Sequence, residues 1–177
     1  MRRLLDFLYD AGGAVAAFCV LLICVLMIAA GVGRQLNLEV SGVNDIVAWL
    51  CAAAAFLAMT HAFRHGDFVR VTLLLEKVSP AARRRYDLVC LSIAAVAVGY
   101  LTWWATAFTW ESYEFAEMAT GLVVLPIWIP QSTFVVGSWL LMVAVLDELV
   151  TVALGDKPHY QRAVEERHAA GDFSSDV

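Results

Sequence analysis

The sequence predicts an all-α integral membrane protein with four transmembrane helices and both termini in the cytoplasm. Of its 177 residues, 61% are hydrophobic and 16% are charged, whereas a soluble domain has about 45–50% apolar and about 25% charged residues. Four long stretches contain no charged residue, and the basic residues are concentrated in alternate segments between them. A water-soluble fold of this length could not bury so much apolar surface, so lipid must surround much of the chain.

The four charge-free stretches predict where the helices cross the bilayer. A span needs about 20 predominantly apolar residues to cross roughly 30 Å of hydrocarbon. We expect one four-helix membrane domain over residues 1–155 and a polar cytoplasmic tail over residues 156–177. The predicted spans cover about residues 11–33, 46–63, 88–110 and 130–150.

The fourth charge-free stretch, from Glu117 to Asp147, is too long for one span. It contains Pro126 and Pro130. Proline cannot donate a hydrogen bond in a helix interior, but it suits the first turn of a helix. We therefore expect the fourth helix to begin near Pro130. The apolar segment before it, residues 121–128, is expected to lie at the membrane interface or to dip into the membrane.

The positions of Lys and Arg predict the orientation of these helices. Eleven of the 12 basic residues lie in the N-terminal segment, the second loop or the C-terminal tail, and the twelfth is Arg34 in the first loop. Loops rich in Lys and Arg remain in the cytoplasm. Both termini and the second loop are therefore expected on the cytoplasmic side, with the first and third loops outside.

The second loop also predicts a short amphipathic helix. Apolar residues recur there at steps of three and four, at Phe68, Val71, Leu74, Leu75 and Val78. This spacing favours a helix that lies in the cytoplasmic interface with its apolar side toward the lipid. Anionic headgroups would attract the nearby arginines, although the retention of basic loops in the cytoplasm also explains them. The candidate cytoplasmic interface and lipid contacts are Arg64, Arg70, Arg83, Arg84 and Arg85.

Few residues in or near the spans could carry out chemistry. His61 and His65 lie four residues apart, so they could share a helix face and bind a metal together with Asp67. Histidines at a wet membrane boundary are the simpler interpretation. The four cysteines lack the spacing of a redox or zinc site, and the sequence contains no phosphate-binding loop or nucleophile motif. We therefore expect no enzyme activity, metal, cofactor or nucleic-acid partner.

Two groups of charges are expected on the outer side. Arg34 closes the first helix and Asp45 opens the second, and a structural ion pair between them would fix the first hairpin. Two independently solvated charges would fit the sequence equally well. Glu111, Glu114 and Glu117, which we call the acidic set, are predicted to form one helical stripe. Such a stripe is usually solvated, but it could also be a docking surface for an external partner.

Several residues between the first span and the fourth have an order and spacing typical of a known family. An arginine ends the first span and an acidic residue opens the second, followed by a tryptophan, an alanine-rich segment, Arg-x-Gly-acid and Val-Arg-Val. The residues at these places are Arg34, Asp45, Trp49, Phe56 to Ala58, Arg64, Gly66, Asp67, Val69, Arg70 and Val71. A Leu-Pro pair precedes the fourth span, which contains Gly137. This pattern resembles the small membrane subunit (DctQ type) of tripartite ATP-independent periplasmic (TRAP) transporters, over the chain up to about residue 150.

The resemblance implies a small permease subunit of a secondary transporter in the inner membrane of a bacterium. A large permease subunit would bind the substrate, a periplasmic solute-binding protein would deliver an organic acid, and an ion gradient would drive uptake. The partners would be these two proteins and membrane lipids, and the acidic set would be a candidate periplasmic docking surface. Phe68 stands where many members of that family have a histidine, so no role is expected for a histidine there. The alternative is a membrane-anchor subunit of a respiratory enzyme, which would need facing histidines that the predicted spans lack.

Overall fold

The computed structural model describes residues 2–38, 41–65, 80–156, 158–160 and 169. These residues contain four long helices, α1 (Arg2–Gln35), α2 (Val43–His65), α3 (Pro80–Glu114) and α4 (Trp128–Leu154). Each of them is long and apolar enough to cross a membrane. For the described part of the chain, the predicted all-α class with four such helices is therefore confirmed. The predicted amphipathic helix of the second loop, with Arg70, lies outside the described residues, as does most of the predicted tail.

Two of the helices extend well beyond the predicted spans. Helices α1 and α3 contain 34 and 35 residues, so at 1.5 Å per residue each is about 50 Å long. This length exceeds the roughly 30 Å of a hydrocarbon core. The extra turns include the arginines at the start of each helix, Arg2 and Arg3 in α1 and residues 83–85 in α3. In a membrane these turns would lie outside the hydrocarbon, where charged side chains are hydrated.

Helices α2 and α4 lie in the middle of the helix packing, and α4 is the more buried of the two. Helix α1 packs on α2, α2 packs on α4, and α4 packs on α3. Within the most apolar stretch of each helix, 44% of the residues of α4 are buried, whereas the figures for α1 and α3 are 11% and 17%. The outer faces of α1 and α3 keep large apolar side chains exposed, among them Phe18, Ile28, Ile93 and Val96. In a bilayer, lipid or a protein partner would cover these faces.

Small residues allow α2 and α4 to approach closely. Gly137 in α4 faces Phe56 in α2, and a Cβ atom on Gly137 would lie 2.7–2.9 Å from the Cβ, C and O atoms of Phe56. The Phe56 ring packs edge-on against Phe134, with the ring centroids 4.2 Å apart. Ser138 and Ala144 of α4 are completely buried. Small residues are typical of helix interfaces in membranes because they let the two backbones come together.

Residues 115–127, here called the α3–α4 loop, connect the last two helices. Met118 and Pro126 pair across this loop in an isolated antiparallel bridge, so the segment folds back on itself. Helix α4 begins at Trp128, and Pro130 lies in its first turn, where the missing N–H of proline costs no intrahelical hydrogen bond.

Candidate functional site

Among the described residues, the charged side chains that make contacts lie at two opposite ends of the helical bundle. The Asp45 end contains the end of α1, the start of α2 and the α3–α4 loop. The Arg64 end contains the start of α1, the end of α2, the start of α3 and the end of α4. Successive helices are therefore antiparallel. As a result, the start of α1 and the end of α4 share one end of the bundle.

At the Asp45 end, one carboxylate holds the α3–α4 loop against α2. The Oδ2 atom of Asp45 accepts the backbone N–H of Leu122 at 2.8 Å and that of Val123 at 3.4 Å. Gly121 lies so close to this carboxylate that a Cβ atom there would overlap it. Gly42 has a φ of +83°, and a Cβ atom on it would lie 2.5 Å from the side chain of Val123. One carboxylate and two glycines therefore seat the loop on the first turn of α2.

The predicted partner of Asp45, Arg34, lies nearby but in a different relation. Arg34 and Asp45 line the same cleft, which has a volume of about 730 Å³. No ion pair of 4.0 Å or less joins these two described side chains. Asp45 has backbone N–H groups of the α3–α4 loop as its partners, in place of the predicted guanidinium. Its position in the first turn of α2 is also favoured by the helix dipole.

The acidic set does not form one helical stripe. Helix α3 ends at Glu114, and Ala116, with a φ of +50°, turns the chain away from the helix axis. Glu117 is therefore part of the α3–α4 loop, where its Oε2 atom accepts the hydroxyl of Ser112 at 2.8 Å. Glu111, Glu114 and Glu117 are all exposed, so each of the three side chains remains accessible.

At the Arg64 end, a single guanidinium connects three helices. Nη1 of Arg64 in α2 donates to Oδ2 of Asp147 in α4 at 3.0 Å. The guanidinium carbon lies 5.4 Å from the ring centroid of Tyr9 in α1, a distance at which a cation is attracted to a ring face. Tyr9 is only 1% exposed. The side chain of Arg64 therefore joins α2 to α4 and to α1.

A second carboxylate at this end binds the segment that follows α4. Glu148 is completely buried, and its Oε2 accepts the backbone N–H of His159 at 3.0 Å. The Nδ1 of the same histidine lies 3.2 Å from Oε1. Tyr160 is buried, with its ring 6.4 Å from that of Phe63. Because a buried carboxylate requires such hydrogen bonds, Glu148 ties residues 158–160, at the start of the predicted tail, to the bundle.

Arg84 satisfies the C-terminal carbonyl groups of α4. Its Nε donates to the O of Val152 at 3.2 Å and its Nη2 to the O of Ala153 at 2.9 Å. The last carbonyls of a helix have no intrahelical partner and are partly negative, so a cation there is stabilising. Among the other predicted interface arginines, Arg83 is half-buried and Arg85 is exposed.

Sequence reasoning missed the carboxylates of the Arg64 end. Asp147 served only to mark the end of the fourth charge-free stretch, and His159 was assigned to the polar tail. One signal was available: Asp147 and Glu148 are adjacent acids at the end of the apolar stretch of α4, where burying an unpaired carboxylate is costly. Acids at such a position require cationic or N–H partners, which Arg64 and His159 supply.

The histidine pair of α2 also lies at the Arg64 end. The predicted third residue of that group, Asp67, lies outside the described residues. The structure brings Asp10 of α1 to the pair, with Oδ1 of Asp10 3.5 Å from Nδ1 of His61. The rings of His61 and His65 stack with centroids 4.1 Å apart. Among the described residues, Asp10 therefore supplies the carboxylate beside the histidine pair, and the predicted part of Asp67 stays a prediction.

One known protein family matches most of the chain. A family model described as "Tripartite ATP-independent periplasmic transporters, DctQ component" matches residues 23–155, which are 133 of the 177 residues. The matched range begins inside α1 and ends directly after α4. It therefore includes all of α2 and α3 and the contacts of the Asp45 end. No curated protein and no solved structure gives a significant match.

Proposed function

The chain belongs to the DctQ family of tripartite ATP-independent periplasmic transporter components, and we propose that it is the scaffold subunit of such a transporter. Members of this family are small permease components of transporters rather than enzymes. In the proposed complex, a large permease subunit carries the substrate and a periplasmic solute-binding protein delivers it. The substrate is an organic acid, and an ion gradient drives its uptake. The family match over residues 23–155 is the observation that carries this proposal.

The distribution of charge supports a position beside the transport pathway. Charged residues at membrane depth usually mark substrate and ion paths. The middle of each of the four helices is free of charged residues, and the ionic contacts of the described residues lie at the two ends of the bundle. Apart from Glu148 near the end of α4, the buried polar side chains of the described helices are small. One of them is Thr102, whose hydroxyl donates to the O of Val98 at 2.8 Å.

The exposed apolar faces support a partner within the membrane. The most apolar parts of α1 and α3 are 11% and 17% buried, and the exposed face of α3 carries large aromatic side chains such as Tyr100, Trp103 and Trp104. A four-helix subunit that leaves two of its helices so open provides apolar surface that a multi-span permease could cover. Lipid would cover the remainder.

The orientation follows from the basic residues. With Lys and Arg on the cytoplasmic side, the Arg64 end and both termini face the cytoplasm, and the Asp45 end faces the periplasm of a bacterial inner membrane. The acidic set then lies on the periplasmic surface, where it can dock the solute-binding protein. Arg83 and Arg85 lie at the cytoplasmic surface, close to anionic headgroups.

A pull-down from native membranes tests the proposal. The full chain, with a small non-histidine tag, is extracted in a mild detergent, and its companions are identified by mass spectrometry. We expect a large multi-span permease in near-equal amount. An unrelated four-helix membrane protein with the same tag, expressed at the same level, is the control and should not recover that permease.

Two other results would contradict the scaffold role. Recovery of redox subunits would support the alternative of a respiratory membrane anchor, which the family match does not favour. Recovery of the chain alone or only with itself, under conditions that preserve other membrane complexes, would indicate a self-assembled protein.

A further inference from the structure

Another group of polar side chains at the Arg64 end consists of Asp10, His61 and His65. His61 and His65 lie on the last two turns of α2, and Asp10 lies on α1. One nitrogen or oxygen atom from each of these three side chains lies within 4.8 Å of the other two. Two histidines four residues apart on a helix place both rings on one face, which is the spacing that metal-binding helices use.

The Nδ1 atoms of the two histidines differ in their hydrogen bonding. The Nδ1 of His65 donates to the backbone O of His61 at 3.0 Å, because a carbonyl oxygen can only accept. This hydrogen bond fixes the tautomer in which Nε2 of His65 carries the lone pair, and metal-ligating histidines are usually oriented by such a bond. The Nδ1 of His61 is shielded from solvent and has no hydrogen-bond partner among the described residues, although Oδ1 of Asp10 is 3.5 Å away.

A glycine on α1 makes room for this arrangement. Gly13 lies three residues after Asp10, and a Cβ atom on it would be 2.9 Å from both Cγ and Nδ1 of His61. Any larger residue at this position would push the His61 ring away from Asp10. The neighbouring Gly12 differs, since a Cβ atom there would make an ordinary contact, 3.4 Å from the O of Leu57.

We propose that Asp10, His61 and His65 bind one divalent transition-metal ion of the zinc type, which joins the start of α1 to the end of α2. Two imidazoles and one carboxylate suit Zn²⁺, with a fourth position open to water. Bonds of about 2.0–2.2 Å would place the ligand atoms about 3.4 Å apart. Asp10 has a side chain that is 65% exposed, so its rotation can close the distance. This site revises the expectation from sequence that no metal binds, and it does not depend on the transport role.

Zinc binding to the purified full-length chain, together with the companions that remain bound, tests the site. The chain carries no histidine tag, and Zn²⁺ alone is titrated against a chromophoric chelator. We expect one ion per chain. The variant His61→Gln/His65→Gln should lose this binding, and Asp10→Asn should weaken it at least about tenfold, since even outer-shell changes cost roughly 10–100-fold in metal affinity. His159→Gln, which alters a histidine at the same end that contacts Glu148, should bind as the wild type does.

A pair of glycine variants tests the geometry without removing any ligand. Gly13→Ala should lower the zinc affinity at least about tenfold because it displaces a ligating ring. Gly12→Ala should leave the affinity unchanged. Both changes add a helix-favouring residue, so both variants should fold, as helical circular dichroism and a single elution peak would verify. Zinc bound at well below one ion per chain would overturn the proposal, as would unchanged binding in the double histidine variant or in Gly13→Ala.

Discussion

Replacing Gly137 by alanine tests the contact that joins the two halves of the bundle. The added Cβ atom would lie 2.7 Å from the Cβ of Phe56, and 2.8 and 2.9 Å from its backbone C and O. Two of these three atoms belong to the main chain, so a rotamer change cannot relieve the overlap. Helices α2 and α4 would have to separate by several tenths of an ångström. Overpacking of this kind costs about 1–3 kcal/mol.

A matched control isolates this packing cost. Alanine is favoured over glycine within a helix by up to about 1 kcal/mol, and this gain opposes the overlap in Gly137→Ala. Gly31 lies in α1, and a Cβ atom on it would have no neighbouring atom within 4 Å, so Gly31→Ala receives the same gain with no overlap. The free energies of unfolding of the two variants should therefore differ by about 1–3 kcal/mol, with Gly137→Ala the less stable.

The assay is reversible unfolding of the full chain in detergent, followed by helical circular dichroism. Adding Phe56→Ala to Gly137→Ala should not restore stability, because the overlapping Cβ, C and O atoms are present in alanine as well. Equal stability of the two single variants, within about 0.5 kcal/mol, would refute the close approach of α2 and α4. Rescue by Phe56→Ala would show that the ring rather than the backbone limits the distance.

Three further perturbations address the ends of the bundle. Replacing Arg64 by methionine should destabilise the chain by about 2 kcal/mol in the same unfolding assay. This value lies between under about 1 kcal/mol for an exposed ion pair and about 3–5 kcal/mol for a broken buried one, because the side chains of Arg64 and Asp147 are 13% and 24% exposed. The control Arg85→Met should change stability by less than about 0.5 kcal/mol, and equal effects of the two variants would argue against the ion pair. Replacing Asp45 by alanine removes a hydrogen bond of about 1 kcal/mol, so amide exchange at Leu122 should rise about fivefold, whereas unchanged exchange would contradict the contact. Converting the acidic set to glutamine should weaken docking of the solute-binding protein and lower uptake, and unchanged uptake would remove the docking role.

The number of long apolar helices could be predicted because each charge-free stretch long enough to cross the bilayer must form one helix. A charge-free stretch that must satisfy its backbone in lipid has few options besides a helix, so composition alone locates α1 to α4. The predicted spans concern the crossing of the bilayer, and at the starts of α1 and α3 the helices extend beyond them. There the helix continues through Arg2 and through residues 83–85, past the point where the apolar pattern stops. Charged residues end a hydrophobic run, but they do not end a helix.

The polar contacts could not be predicted because they depend on which helices are neighbours. Arg64 and Asp147 are 83 residues apart, and only the packing of α2 against α4 brings them together. The spacing of the acidic set suggested a continuous helix, whereas the positive φ of Ala116 ends it. The partners of Asp45 are backbone N–H groups, and sequence patterns carry no signal for such partners.

Reconstituted transport tests directly whether this chain is a scaffold subunit that a TRAP transporter requires. The copurified permease is placed in proteoliposomes with and without this chain. A solute-binding protein loaded with its organic acid is added, and uptake of that acid is measured under an ion gradient. We predict uptake that requires the chain and the gradient but no ATP. Equal uptake by the permease without this chain, or uptake that requires ATP, would contradict this prediction.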